Sequence, residues 1–263
     1  MRGVICYYSG SGNTTIACGY LAAGVEVPFD LVDVTQGRAV DLAPYDVVGL
    51  AASADFGGIP KRFETFLAEL PAQDGTPAFV LNTFGARSGA TLGSLARQAT
   101  SRGFRVIAAH ALRMPESYPP MLALHLGFAG QPDSAGMRRF DAFIGELGKA
   151  LEKLDAGAAV EPWRSPRRLF AGPSRPRDRT TAREDMGEKS VDADLCTECG
   201  VCATRCPYGA ITLAPKPVFD QSACYGCWRC YNQCPQHAIY TGRFRGGPYY
   251  PGPSERTRTT LRT

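Results

Sequence analysis

The chain has 263 residues and 44% of them are hydrophobic, enough for a sizeable buried core and too many for wholesale disorder. A formal net charge of +4 is too small to argue for a nucleic-acid or membrane-surface partner. Ten cysteines would suit a disulfide framework in a short secreted chain, but here Cys6 and Cys18 stand near the start and the other eight fall between Cys196 and Cys234. The opening run MRGVICYYSG reads as a strand entering a turn rather than as a secretory leader. The longest apolar stretch, 121–130, is far short of the ~20 residues of a membrane span. The expectation is a cytoplasmic protein without a membrane span, its thiols reduced or metal-bound.

In chain order, apolar runs predict strands over 3–8, 29–34, 46–52, 78–84 and 104–112. Helical spacing predicts helices over 14–23, 61–70, 89–102 and 133–154. The last carries Met137, Phe140, Phe143, Ile144, Leu147, Leu151 and Leu154 on one stripe. Strands alternating with helices imply βαβ units and a parallel sheet, so 1–155 is expected to be an α/β, flavodoxin-like doubly wound domain of five parallel strands. Buried structural roles are expected for Cys6 and Cys18. His110, His125 and His237 are scattered, and no catalytic constellation of residues is visible.

Residues 156–190 hold four prolines among seven arginines and read as a linker. Residues 243–263 hold five arginines against one glutamate and read as a basic, disordered tail. Net charge is −2 over 1–155, +3 over 156–190, −1 over 191–242 and +4 over 243–263, so the basicity lies outside the two folded regions.

Between them, 191–242 contains a repeat of period 28. Asp192, Cys196, Cys199, Cys202, Cys206, Pro207, Ala210 and Ile211 recur as Asp220, Cys224, Cys227, Cys230, Cys234, Pro235, Ala238 and Ile239. Both copies read C-x2-C-x2-C-x3-C-P. Thiolates suit iron–sulfur clusters and zinc, but zinc motifs draw two ligands from each of two separated knuckles. Three cysteines within seven residues and a fourth before proline form the bacterial ferredoxin run, whose fourth cysteine serves the other cluster. The expectation is a small α+β domain with two [4Fe-4S] clusters. One is expected on Cys196, Cys199, Cys202 and Cys234, the other on Cys224, Cys227, Cys230 and Cys206. The second carries Tyr225, Trp228 and Tyr231 among its ligands where the first has Thr197, Glu198 and Ala203. Those rings either exclude water and shift its potential, or only cover a small core.

After the first strand, Ser9-Gly10-Ser11-Gly12-Asn13-Thr14 opens a helix. Hydroxyls and backbone N–H groups at a helix N-terminus make a phosphate cradle. The lysine of a Walker A loop is absent, and so is the third glycine of the dinucleotide fingerprint. A hydroxyl-rich loop without a cation suits a phosphate monoester, and in a flavodoxin-like sheet this is the FMN position. Ser11 and Thr14 are the expected phosphate donors. Asp55, Phe56 and Gly57 after the third strand, and Thr83, Phe84 and Gly85 after the fourth, are the expected flavin contacts. The two phenylalanines either flank the ring system or cap the core.

The order of parts resembles the flavodoxin–ferredoxin fusion proteins of bacteria and archaea. The resemblance rests on YYSGSGNT, the Gly57-Gly58-Ile59-Pro60 loop, the segment Arg113-Met114-Pro115-Glu116-Ser117-Tyr118 and the doubled cysteine motif. It implies FMN, iron–sulfur electron transfer, and protein redox donors and acceptors. Two features depart from it: Asp55-Phe56 stands where a Pro-Val-Tyr-like run is frequent, and the linker is unusually rich in arginine. Two other functions remain open. One is a flavin-free domain that docks a ferredoxin module onto a partner; the other is a flavin-dependent reductase of a small molecule such as a quinone. Each oxidised cluster with its thiolates carries −2, so the arginine-rich segments, Arg175, Arg177 and Arg179 among them, are expected to fold onto the ferredoxin region or to help dock an acidic partner.

Overall fold

A computed structural model describes residues 1–37, 39–164, 183–184 and 186–262. Arg175, Arg177 and Arg179, with the expectation attached to them, lie outside the described residues.

Five parallel strands run β1 (Gly3–Tyr8), β2 (Phe29–Asp33), β3 (Val47–Ser53), β4 (Pro77–Phe84) and β5 (Arg105–Arg113), in the spatial order β2-β1-β3-β4-β5. This is the flavodoxin-like doubly wound order. Every residue of β1 is buried, as both faces of a central parallel strand are covered by helices. Side-chain alternation divides the core in two. Val4, Cys6, Tyr8, Val48, Leu50 and Val80 face one layer, under α2 (Lys61–Glu69) and α3 (Thr91–Ser101). Ile5, Tyr7, Val47, Phe79 and Leu81 face the other, under α1 (Asn13–Ala23) and α5 (Ser134–Asp155). Phe140, Phe143, Ile144, Leu147 and Leu151 of the predicted stripe are buried there. Asp133 caps α5, its Oδ1 accepting from the Gly136 N–H at 2.7 Å. Between β5 and α5 the chain inserts a loop with the short α4 (Pro119–Ala123).

Cys6 and Cys18 are fully buried, and burial pushes the Cys6 thiol up to about 12 and the Cys18 thiol higher still. Past α5 the chain returns along the sheet edge. The Trp163 N–H donates to the Val106 carbonyl at 2.8 Å, and the Trp163 ring packs on the first core layer.

The repeat region holds four short strands, β6 (Lys189–Val191), β7 (Ile211–Ala214), β8 (Lys216–Phe219) and β9 (Ile239–Thr241). Pairing is crossed: β6 of the first copy pairs with β9 of the second, and β7 of the first with β8 of the second. The register respects the period of 28, since Lys189 faces Thr241 and Pro217 faces Leu213. Left-handed backbone recurs at the same offset, at Glu198 and Gly226, Gly200 and Trp228, and Gly209 and His237. Each copy thus supplies half of a two-fold unit whose conformation, and not only its sequence, repeats.

The expectation of a disordered tail is corrected. Residues 243–262 are ordered against both parts of the molecule and end in α6 (Glu255–Thr260), capped by Ser254. Leu261 is 4% exposed and joins the second core layer. Arg245 pairs with Asp192 at 2.6 Å, and the Tyr250 hydroxyl donates to Asn13 Oδ1 at 2.7 Å. The cause is a few well-placed anchors, Tyr249, Tyr250, Pro253 and Leu261, whose packing a charge count does not register.

Candidate functional site

Strand order turns back between β1 and β3, and a cleft opens beyond the C-terminal ends of β1, β3, β4 and β5. It measures about 730 Å³, within the ~300–1,000 Å³ range of small-molecule sites. Of the expected contacts, Gly10, Ser11, Asn13, Asp55, Phe56, Gly57, Thr83, Phe84 and Gly85 line it. Ser9, Gly12 and Thr14 do not. The Ser9 hydroxyl accepts from the Gly12 N–H at 3.0 Å and shapes the loop from within. Thr14 is 1% exposed and its hydroxyl bonds the Thr83 hydroxyl at 2.8 Å, which joins α1 to β4. Thr14 is therefore better placed to hold the cradle together than to face a ligand. As the second residue of α1, Thr14 points its side chain toward β4 of the sheet.

Two loops form the far wall. Asp55 and Gly58 exchange backbone hydrogen bonds at 3.0 and 2.9 Å around Phe56 and Gly57, both with positive φ, a tight hairpin. This aims the Phe56 ring into edge contact with Tyr118, centroids 5.2 Å apart. The Glu116 carboxylate accepts from the Ala86 N–H at 3.0 Å and from the Ser117 and Tyr118 N–H groups at 2.9 and 3.1 Å. It ties the loop after β4 to the loop after β5. A Cβ on Gly85 would run into that carboxylate and stand 2.9 Å from the Glu116 backbone, so only glycine fits there.

The repeat region closes the cleft. Tyr225, Gly226, Cys227, Trp228 and Asn232 line it directly. The Tyr225 hydroxyl donates to Asp55 Oδ2 at 2.6 Å, and Asn232 Nδ2 donates to the Ser117 carbonyl at 2.9 Å. Tyr118 continues the aromatic wall to Trp228, centroids 6.2 Å apart. Tyr208 stacks on Tyr225 at 4.6 Å. Burial holds the Tyr8 and Tyr208 phenols well above their ordinary range, so both stay protonated.

The eight cysteines gather in two fours. Cys196, Cys199, Cys202 and Cys234 line one small cavity; Cys206, Cys224, Cys227 and Cys230 line another. Each four takes its last member from the other copy. Backbone amides reach the sulfurs, with the Ala238 N–H 3.3 Å from Cys234 Sγ. Burial raises the Cys227 and Cys230 thiols, and Lys189 nearby opposes that rise. Tyr225, Gly226 and Cys227 line both the second cavity and the cleft, so the two share a wall. The Met186 methyl packs directly on Gly226, whose positive φ of 77° suits glycine.

Three features fit the groups that this chemistry calls for. The second cavity sets a lysine that is 4% exposed beside four thiols, a buried cation suited to an anionic group. The buried Trp228 Nε1–H, on a cleft-lining residue, has no acceptor among the described residues. The cleft meets the N-terminus of α1, where phosphate is favoured.

Tyr118, Glu116, Met114, Tyr225 and Trp228 were not among the sequence-derived cleft residues. The motif at 113–118 contained three of them without assigning a role. The tyrosine and tryptophan were legible only as neighbours of cysteines.

The profile of the 4Fe-4S binding domain family (Fer4) matches residues 189–212 and 217–240. Among curated protein sequences none matches this chain. Among solved structures, a flavodoxin from the domain Archaea is similar at 14% identity, covering 58% of this chain and 99% of its own, with a TM-score of 0.43. Flavodoxin 1 from Bacillus cereus is similar at 18% identity, covering 57% and 98%, with a TM-score of 0.42. Rubredoxin oxygen:oxidoreductase from Desulfovibrio gigas is similar at 17% identity over 59% of this chain, which spans 37% of that one, with a TM-score of 0.45. With a flavodoxin-like sheet order followed by two 4Fe-4S binding segments, the chain has the architecture of a flavodoxin–ferredoxin fusion.

Proposed function

We propose that the protein is an electron-transfer iron–sulfur flavoprotein. In this reading the cleft holds FMN, and the two cysteine fours hold [4Fe-4S] clusters. Residues 1–155 and 191–242 form the flavin and ferredoxin units. FMN exchanges one or two electrons and each cluster exchanges one, so together they convert between paired and single electrons. The observation that carries the reading is the shared wall: Tyr225-Gly226-Cys227 borders the cleft on one side and the second four on the other.

The chain's residues divide the work. Ser11 and the amides opening α1 receive the phosphate. Phe56, Tyr118 and Trp228 border the ring system and exclude water from it. Asp55 and Asn232 latch the ferredoxin unit over the cleft. The first four sits away from the cleft, with Cys199 exposed, and so faces a protein redox partner. None of its cysteines lines the cleft. Among the described residues no helix is long and apolar enough to cross a membrane. Exposed Cys199 as a cluster ligand fits a reducing, cytoplasmic setting.

Anaerobic purification followed by iron, flavin and phosphorus quantification tests this. The expected result is eight irons and one FMN per chain. Eight irons without flavin would favour the flavin-free docking domain. Turnover of a quinone with no protein partner would favour the reductase.

A further inference from the structure

We propose that the two clusters are made unequal by their charged surroundings, the cluster on Cys206, Cys224, Cys227 and Cys230 having the higher reduction potential because Lys189 and Arg229 line its cavity. The inference rests on the reading of the cysteine fours given above.

The repeat provides an internal control. Each position lining the second cavity has a counterpart 28 residues away lining the first. Lys189 corresponds to Pro217, Arg229 to Val201, and Gly226 to Glu198, and all six line their respective cavities. The second cavity therefore has two cations and no carboxylate where the first has one carboxylate and no cation. Asp55 lines the neighbouring cleft and not the second cavity. At the rim of the first, Lys216 lies 3.6 Å from Glu198, both well exposed, and offsets part of that charge.

The cations are placed to act on something anionic. Lys189 is 4% exposed, its ammonium 5.2 Å from the Trp228 ring centroid, and it has no ion-pair partner among the described residues. Nε and Nη1 of Arg229 are buried without an acceptor among the described residues. Buried, unpaired cations are costly unless an anion answers them. A cluster with its four thiolates goes from −2 to −3 on taking one electron, with no proton moved. Cations at the wall favour the more negative form and raise the potential.

Burial acts in the other direction. Tyr208 and Tyr225 cover the second cavity where Gln236 and Thr197 border the first, and dry surroundings disfavour the added electron. The same dryness removes screening from Lys189 and Arg229, so their attraction grows as the penalty does. With two cations against one rim-compensated carboxylate, the second cluster is the easier to reduce. Electrons arriving at the flavin would then settle on its immediate neighbour before reaching the exposed first cluster.

The test is an EPR-monitored redox titration of the intact holoprotein, poised anaerobically with dithionite and mediators. Two separate one-electron waves are expected. Lys189→Gln and Arg229→Gln should each lower the upper wave by about tenfold in its reduction equilibrium, ~59 mV for one electron. The lower wave should stay in place. Glu198→Gln, at an exposed position that folding tolerates, should raise the lower wave and narrow the gap by a smaller amount. A single shared potential, a shift of the lower wave by the cation variants, or no shift in any of the three would overturn the proposal. Absence of cluster signals from the wild-type holoprotein would instead overturn the underlying assignment of the cysteine fours.

Discussion

The Tyr225 hydroxyl donates to the Asp55 carboxylate at 2.6 Å, joining residues 170 positions apart in the chain. The same hydroxyl accepts from the Lys61 N–H at 3.3 Å. Through this bond the loop after β3 meets the loop carrying Cys224 and Cys227, and the cleft acquires its iron–sulfur wall.

Removing the bond should loosen that wall. A hydrogen bond to a charged group contributes about 1.5–3 kcal/mol, and partial exposure here favours the lower end. Tyr225→Phe should slow flavin-to-cluster transfer and make the flavin more accessible to solvent quenchers. Asp55→Asn keeps an acceptor and should do less damage. A larger loss in Asp55→Asn than in Tyr225→Phe would indicate that charge, and not the bond, matters.

Crossed ligation gives a selective result. Cys234→Ala should remove the cluster on Cys196, Cys199 and Cys202, and leave the one on Cys206, Cys224, Cys227 and Cys230. Iron content should fall by half with the second cluster's EPR signal retained. Loss of the second signal instead would refute the assignment.

The phosphate loop should separate into two kinds of residue. Ser11 lines the cleft, so Ser11→Ala should weaken FMN binding by about 10- to 150-fold if it loses a charge-assisted bond. The Thr14 hydroxyl is spent on Thr83, so Thr14→Val should mainly cost stability, about 1 kcal/mol, read as a lower melting temperature. FMN titration and thermal melting together check both.

Stability should also report His110. Its ring stacks on Phe140 and Phe143, and burial lowers its pKa from the ordinary 6.5 to about 4. The unfolded chain therefore binds a proton that the folded one refuses, and stability falls as pH drops from about 6.5 toward 4. His110→Phe should flatten that part of the stability profile relative to wild type. Parallel profiles in denaturant titrations would contradict it.

Much of the fold was legible in the sequence because its signals are local. The strand expected over 3–8 is β1, and the stripe from Met137 to Leu154 lies on α5. The cysteine fours were legible because a spacing of three confines ligands to one loop. The long-range features were not. Nothing near Tyr225 in the sequence marks Asp55 as its acceptor, and the hydroxyl of Thr14 reads the same whether it faces a ligand or Thr83. The tail misled because five arginines dominate its composition, whereas its order depends on Tyr250 against Asn13 and on Leu261 in the core.

The central claim, that the cluster on Cys206, Cys224, Cys227 and Cys230 is the flavin's immediate partner, has one direct measurement. The flavin is photoreduced anaerobically in the holoprotein and cluster bleaching is followed in two variants that each retain one cluster. Cys234→Ala, left with the second cluster, should keep rapid flavin-to-iron transfer. Cys206→Ala, left with the first, should lose it. Rapid transfer in Cys206→Ala together with its loss in Cys234→Ala would contradict the account.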